Sequence, residues 1–196
     1  MTDGKFETRN NFETRKNIEG GIFLVLFCLT IPLANWMIGN VGTVCGPNSP
    51  CLIPVAPGLM APSGVLMIGV ALVLRDLVQR RLGVEFGIAA ILAGAAISAG
   101  VAPASLVMAS TTAFLLSEFV DFAIYTPLAR RRLVAAVVLS SMAGLVVDSI
   151  VFLWLAFGSL EYLSGQIVGK TWMVLLSIPL VALLRRRDER LGLTAA

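Results

Sequence analysis

The chain has 196 residues, of which 57% are hydrophobic and 14% charged, with a formal net charge of +3 and a mean hydropathy of +0.88. Soluble domains carry about 25% charged residues, so this composition excludes a soluble enzyme or nucleotide-binding domain and indicates an integral membrane protein. The basic residues lie at the ends of apolar runs. They therefore indicate membrane topology and do not suggest a nucleic-acid partner.

The chain begins with a polar segment, residues 1–19, that is predicted to be a cytoplasmic tail or a surface helix. The first apolar run, about 20–38, is too long for the hydrophobic region of a signal peptide and predicts the first transmembrane helix. Residues 39–57 are rich in Gly and Pro and predict a long loop. This loop contains Cys45 and Cys51, for which a disulfide and two free thiols are both open. With no histidine in the chain, no metal site is predicted.

Five further apolar runs predict five more helices, at about 59–77, 86–102, 103–129, 133–157 and 164–184. The sequence Ala-Pro-Ser-Gly at 61–64 interrupts the start of the second run. A helix that begins at Pro62 is favoured there over a broken helix lining a binding site. The run at 86–102 is rich in small residues and is predicted to pack closely against its neighbours.

The basic residues divide sharply between the two sides of the membrane. Fourteen of the 15 Lys and Arg lie in the N-terminal segment, the turns at 75–81 and 130–132, and the C-terminal segment 185–196. The alternate loops, at 39–57, about 100–104 and 158–163, contain none. By the positive-inside rule both termini are cytoplasmic. The predicted fold class is therefore all-α, a polytopic membrane protein whose six transmembrane helices occupy residues 20–184.

Ionisable side chains inside the apolar runs are the candidate functional residues. A charged group at the centre of a bilayer costs about 2.5–3.5 kcal/mol on insertion scales, so such groups usually face a cavity or a partner. Glu118, Asp121 and Tyr125 are spaced i, i+3, i+7, which places them on one face of a helix. Asp148 lies in the next span and Lys170 in the last. We expect the four charged groups to approach one central cavity.

Amides and aromatic rings complete a predicted binding site. Asn35 and Gln166 add hydrogen-bonding groups, and a planar heterocycle could pair with a carboxylate while accepting a donor at its carbonyl. The candidate stacking surfaces are Trp36, Phe122, Tyr125, Phe152 and Trp172. Two alternatives stay open: Asp148 and Lys170 as a buried structural ion pair, and Asp76 beside Arg75 as interfacial charge rather than a gating group.

The motifs together resemble a known family. They are Arg75-Asp76-Leu77 with Arg80 and Gly83, Ser117-Glu118 with Asp121, Gly144 with Asp148-Ser149 and Phe152, and Lys170. In order and spacing, over nearly the whole chain, they are similar to the queuosine-precursor transporters, also called the vitamin-uptake-like (VUT) family.

The resemblance implies a bacterial inner-membrane protein that takes up 7-deazaguanine precursors of queuosine, such as 7-cyano-7-deazaguanine, for tRNA modification. It also implies functional roles for Asn35, Asp76, Asp121, Asp148 and Lys170. Glu118 stands where some members have an amide, which leaves the cyano and aminomethyl substrates both open. No cofactor, nucleic-acid partner or enzymatic activity is implied. A homodimer is open, with no interface indicated.

Two other functions are alternatives to import by this chain alone. The substrate-binding subunit of an energy-coupling-factor importer has a similar size and six spans, and a face such as Gly94, Ala95, Ser98 and Ala99 would serve either docking or packing. An intramembrane aspartyl protease would use Asp121 and Asp148. Such proteases usually contain Gly-x-Gly-Asp, whereas the sequence here is Gly-Leu-Val-Val-Asp at 144–148, so this alternative is disfavoured.

Overall fold

The computed structural model describes residues 3–46, 49–102 and 106–190. Those residues form six helices and a small sheet; the ends of the predicted terminal segments and part of the predicted 100–104 loop lie outside them. The helices are α1 (Asp3–Asn40), α2 (Val65–Leu82), α3 (Val84–Val101), α4 (Val107–Ala129), α5 (Leu133–Phe157) and α6 (Leu163–Arg190). The strands are β1 (Val44–Gly46), β2 (Ser49–Ala56) and β3 (Leu59–Pro62).

Glycines and arginines set the helix ends. Gly83 has a φ of 99°, and its N–H donates to the carbonyl of Gln79 at 2.9 Å, so α2 ends there and α3 begins one residue later. Gly158 ends α5 with a φ of 63°, a backbone conformation that glycine adopts without steric cost. The arginine turn at 130–132 joins α4 to α5, and these two helices pack along each other as antiparallel neighbours.

Five helices within the described residues are long and apolar enough to cross a membrane: Thr14–Asn40 of α1, and α3, α4, α5 and α6. The chain is therefore a multi-pass membrane protein. Helix α2 is the exception, because its 18 residues include Arg75, Asp76, Arg80 and Arg81. All four side chains are buried, and α2 contacts each of the other five helices. A helix with four buried charged residues thus lies at the centre of the bundle, and its crossing of the membrane stays a prediction.

The loop predicted over residues 39–57 is wrong in part, whereas the all-α class is confirmed for the bundle, which carries a small sheet beside its helices. The strands form an antiparallel sheet in the order β1-β2-β3, with Leu52 opposite both Val44 and Pro62. Prolines at 50 and 54 argue against a central strand, but the register shifts after Pro54 and the ladder continues. The predicted helix start at Pro62 is also wrong, because Pro62 ends β3 and α2 begins at Val65.

The sheet is fixed to the bundle and to itself. Cys45 and Cys51 are joined by a disulfide between β1 and β2. The indole N–H of Trp172 in α6 donates to the carbonyl of Val55 at 3.1 Å. Gly165 of α6 faces the Met60 carbonyl so closely that a side chain at 165 would displace the backbone of β3. The sheet therefore covers the end of the bundle where α2 and α6 begin.

Small residues let α3 approach its neighbours, as its composition predicted. A Cβ atom added to Gly94 would lie 2.6 Å from a ring carbon of Phe114 and 3.1 Å from Ile31. Ala95 and Ser98 are buried on the same side. Three of the four small residues considered for docking a partner are therefore used in packing against α1 and α4, and only Ala99 is exposed.

Candidate functional site

The ammonium group of Lys170 organises the first polar cluster, which we call the Lys170 cluster. Its Nζ donates to Asp148 Oδ2 at 2.5 Å, to Ser149 Oγ at 2.8 Å and to Gln166 Oε1 at 2.8 Å. Gln166 and Lys170 stand four residues apart on α6, and Asp148 and Ser149 are consecutive on α5, so two helix faces supply all four groups. Lys170 is 1% exposed, whereas the side chain of Asp148 is 12% exposed.

The Lys170 cluster leaves specific atoms free. A lysine ammonium has three N–H groups and no acceptor, and all three are engaged. Because the ammonium only donates, it fixes the amide of Gln166 with Oε1 toward Lys170 and Nε2 away from it. Within the described part of the chain, neither Gln166 Nε2 nor Asp148 Oδ1 has a hydrogen-bond partner, and neither atom is sealed from solvent. The cluster thus presents a donor and an acceptor.

These two atoms belong to residues that line a cavity to which all six helices contribute. The cavity volume is about 60 Å³, several times the ~10–15 Å³ that one water needs. Its polar lining includes Asn35, Asp148, Gln166 and Lys170, and its walls include Ile31, Val65, Phe114 and Phe152. Pro62 and Gly64 also line it, which places it next to the sheet. A few polar groups among apolar walls is the usual composition of a small-molecule site.

A second group, the Arg75 cluster, comprises Arg75, Asp76, Gln79, Glu118, Asp121 and Ser140. Arg75 is 0% exposed, and its Nε donates to Glu118 Oε2 at 2.9 Å while a terminal nitrogen pairs with Asp121. The other terminal nitrogen lies 3.0 Å from Asp76 Oδ1 and donates to Gln79 Oε1 at 3.1 Å. The planar guanidinium thus joins α2 to the acidic face of α4.

The expectation of one shared cavity is wrong for this part of the site. Glu118, Asp121 and Tyr125 do lie on one buried face of α4, but that face surrounds Arg75 and does not line the cavity. Arg75 and Asp76, predicted as interfacial or gating groups, lie in the interior with no exposed side-chain surface. The physical reason is charge compensation, because two carboxylates one turn apart require a buried cation.

The candidate stacking residues divide by location. Trp36 and Trp172 are more than half exposed, at 56% and 52%, and lie on the outside of the bundle. The rings of Phe122 and Tyr125 each lie 5.8 Å from the guanidinium carbon of Arg75. Only Phe152 of the predicted set lines the cavity, where Phe114, which sequence reasoning missed, joins it.

A third cluster, the Asp188 cluster, lies at the opposite end of the bundle from the sheet. Asp188 of α6 is 2% exposed and accepts hydrogen bonds from both Arg80 and Arg81 of α2 at 2.7–3.1 Å. Glu19 of α1 pairs with Arg81 at 3.0 Å and with Arg187 at 2.6 Å. These contacts join α1, α2 and α6, and sequence reasoning missed them because Asp188 fell beyond the predicted end of the last span.

Residues 100–184 match the family model described as "Putative vitamin uptake transporter". Over these residues the predicted family is confirmed. The vitamin uptake transporter match covers α4 and α5 and most of α6, and so includes Glu118, Asp121, Asp148 and Lys170. Asn35, Arg75 and Asp76 lie outside the matched residues. The description is that of a transporter, which favours the prediction of a non-enzyme. Comparisons with curated proteins and with solved structures gave no match.

Proposed function

We propose that this protein imports a 7-deazaguanine precursor of queuosine, such as 7-cyano-7-deazaguanine, across a bacterial inner membrane. The resemblance described above supplies the substrate class, and the composition of the cavity supports it. The distribution of basic residues supports cytoplasmic termini. So does the Asp188 cluster, because its ion pairs bring the beginning of the α1 span and the end of α6 to the same end of the bundle.

The observation that carries the proposal is the pair of free atoms beside Lys170. A 7-deazaguanine has N–H donors next to a carbonyl acceptor on one edge of a flat ring. Asp148 Oδ1 would accept from the N–H edge, and Gln166 Nε2 would donate to the carbonyl. Phe152 and Phe114 would contact the ring face, and Asn35 Oδ1 offers one further acceptor.

Lys170 acts in this proposal as a positioning residue rather than a ligand contact. Its three N–H groups already bond to protein oxygens. By donating to both Asp148 and Gln166 it holds the acceptor and the donor at a fixed spacing. This revises the direct role that the sequence suggested for the ammonium as a donor to the substrate.

Movement of the substrate would require the two ends of the bundle to open alternately. The cavity lies beside the sheet, and the Asp188 cluster holds α1, α2 and α6 together at the far end. Opening toward the cytoplasm would therefore separate Asp188 from Arg80 and Arg81. Gly69 of α2 lies against Lys170, because a Cβ atom there would be 2.8 Å from the Lys170 carbonyl. A tilt of α2 would therefore shift residues that line the cavity.

The second candidate is a substrate-binding subunit of an energy-coupling-factor importer, and the vitamin uptake description of the family favours it. Such a subunit needs separate ATPases and a coupling protein. The packing of Gly94, Ala95 and Ser98 inside the bundle leaves that face unavailable for docking them.

Uptake of labelled 7-cyano-7-deazaguanine by a host that lacks its own uptake, expressing this chain alone, tests the proposal. Accumulation above empty-vector cells, reduced in Gln166→Leu, is the expected result. Accumulation only when ATPases and a coupling protein are co-expressed would favour the importer subunit. Neither uptake nor binding of any deazaguanine would contradict the proposed substrate.

A further inference from the structure

The Arg75 cluster contains more negative than positive groups. Asp76, Glu118 and Asp121 face a single guanidinium, that of Arg75. Glu118 is 1% exposed, and the other three residues are 0% exposed. Three ionised carboxylates and one guanidinium would leave a net charge of −2 away from water. Uncompensated charge in such a place is strongly unfavourable, so buried carboxyl groups of this kind take up a cation or a proton.

Two carboxyl groups of the cluster, Asp76 on α2 and Asp121 on α4, converge on one guanidinium. The Oδ1 of Asp76 lies 3.0 Å from one terminal nitrogen of Arg75, and Asp121 Oδ1 pairs with the other. Among the residues that the structure describes, Asp76 Oδ1 and Asp121 Oδ2 are buried and have no hydrogen-bond partner. Ionised carboxylates only accept hydrogen bonds, so this approach is repulsive until one of the two groups carries a proton.

A third buried polar atom points to the same place. The hydroxyl of Tyr125 has no hydrogen-bond partner among the described residues, although Tyr125 is 1% exposed. Its ring lies 5.8 Å from the guanidinium carbon of Arg75, which pairs with both Asp76 and Asp121. A buried hydroxyl without a partner is unusual, and this one belongs to a ring that contacts the same guanidinium as the two carboxyl groups.

Four helices supply the polar and charged groups around this pair. Helix α2 supplies Arg75 and Arg80, and α4 supplies Glu118. Helix α5 supplies Ser140, whose hydroxyl donates to Asp76 Oδ2 at 3.2 Å, and Asp148. The charged group that α6 brings to this side is Lys170, which is paired with Asp148.

We propose that Asp76 and Asp121 share one bound proton, and that its release and rebinding accompany each transport cycle. The coupling half of this proposal rests on the proposed function, whereas the shared proton does not. In the state described here the proton lies between the two carboxyl groups and reduces the negative charge around Arg75. A movement of α2 against α4 would separate the two groups and release it. Because α2 also contacts Lys170 through Gly69, the same movement reaches the cavity.

Infrared spectroscopy of the purified full chain tests the shared proton without any substrate. We expect the carbonyl stretch of a protonated carboxylic acid at neutral pH, lost in Asp121→Asn and in Asp76→Asn. The band should shift in Ser140→Ala, which removes a hydrogen bond to Asp76 but no charge. Glu189→Gln, an exposed carboxylate on α6, is the matched control and should retain the band. Absence of the band in the wild type, or its survival in both Asp variants, would overturn the proposal.

Proteoliposomes test the coupling. With 7-cyano-7-deazaguanine as the substrate, uptake should rise several-fold when the outside is made acidic, and the substrate should carry protons inward, as reported by a trapped pH dye. Asp121→Asn should bind the substrate but lose both responses. Uptake that does not change with the pH gradient, or that follows a sodium gradient instead, would overturn the proposed coupling to protons. An infrared band without any wild-type uptake would support the proton site and count against the proposed function.

Discussion

The ammonium nitrogen of Lys170 in α6 lies 2.5 Å from Oδ2 of Asp148 in α5, across 22 residues of sequence. Asp148→Asn leaves the buried ammonium with neutral acceptors alone, and breaking such a pair costs about 3–5 kcal/mol. We expect Asp148→Asn to lower the melting temperature in detergent and to abolish uptake. Lys170→Met should also abolish uptake, because the spacing of Asp148 and Gln166 is lost.

The double variant Asp148→Asn/Lys170→Met separates stability from function. It contains neither buried charge, so its melting temperature should recover toward the wild type while its uptake stays absent. Normal uptake in the two single variants would contradict the proposed site. Recovery of uptake in the double variant would show that the pair is only structural.

Gln166 and Ser149 provide a matched comparison, because each accepts one hydrogen bond from Lys170 at 2.8 Å. Only Gln166 lines the cavity. A hydrogen bond between neutral groups contributes about 0.5–1.5 kcal/mol, so Gln166→Leu should weaken binding of 7-cyano-7-deazaguanine roughly tenfold at the upper end. Ser149→Ala should change the affinity by no more than about twofold. Both variants should lower the stability of the protein by a similar amount. Equal affinities in calorimetric titration would rule out Gln166 Nε2 as the ligand donor.

Arg75 should be irreplaceable, because it is the cation that faces three buried carboxylates. Arg75→Met should unfold the protein or lower the free energy of unfolding by at least about 3–5 kcal/mol. Arg75→Lys should restore little of the lost stability. A lysine ammonium cannot replace a guanidinium whose separate nitrogens contact Glu118 and Asp121. Arg185→Met is the control: its partner Glu189 is 58% exposed, and exposed pairs contribute about 0–1 kcal/mol. Similar losses in Arg75→Met and Arg185→Met would contradict the central role of Arg75.

Asp188 and its neighbour Glu189 offer a similar comparison at the other end of the bundle. Asp188 is 2% exposed and serves two arginines, whereas Glu189 pairs with Arg185 on the surface. Asp188→Asn should lower stability by about 3–5 kcal/mol and increase labelling of cysteines introduced between α2 and α6 from the cytoplasmic side. Glu189→Gln should change both by little. Unchanged labelling in Asp188→Asn would contradict a closing role for this cluster.

The disulfide between Cys45 and Cys51 gives a test of topology. If the sheet faces outward, a membrane-impermeant maleimide added to intact cells should label these cysteines only after reduction. Cys45→Ser/Cys51→Ser should lose that labelling, which separates it from Cys28 in α1. Opening a loop this short should cost about 2 kcal/mol on the chain-entropy estimate. Labelling without reduction, or only in inverted vesicles, would contradict the bridge or the orientation.

The helices were largely predictable because their ends are marked locally. Residues 133–157 were predicted and α5 occupies Leu133–Phe157, since an arginine turn precedes it and a glycine follows it. The sheet was not predictable because Pro50 and Pro54 oppose a central strand, and the compensating register shift depends on β3. The three strands cover the end of the bundle through contacts with α6, which no local sequence pattern indicates.

The polar clusters were also predictable only in part. The acidic face of α4 follows from spacing alone, and the Asp148–Lys170 pair was an open alternative because antiparallel spans could bring these residues together. The contacts of Arg75 with Glu118 and Asp121 join residues 43 and 46 positions apart. They depend on α2 lying at the centre of the bundle, which periodicity does not reveal.

The central claim is that the Lys170 cluster recognises a 7-deazaguanine, and a thermal-shift assay of the purified protein tests it most directly. A ligand that binds only the folded state stabilises it by about 2.7 kcal/mol at a hundredfold excess over its dissociation constant. We expect 7-cyano-7-deazaguanine or its aminomethyl analogue to raise the melting temperature of the wild type and of Ser149→Ala, and to raise that of Gln166→Leu by clearly less. A shift with a vitamin and none with any deazaguanine, or an undiminished shift in Gln166→Leu, would contradict it.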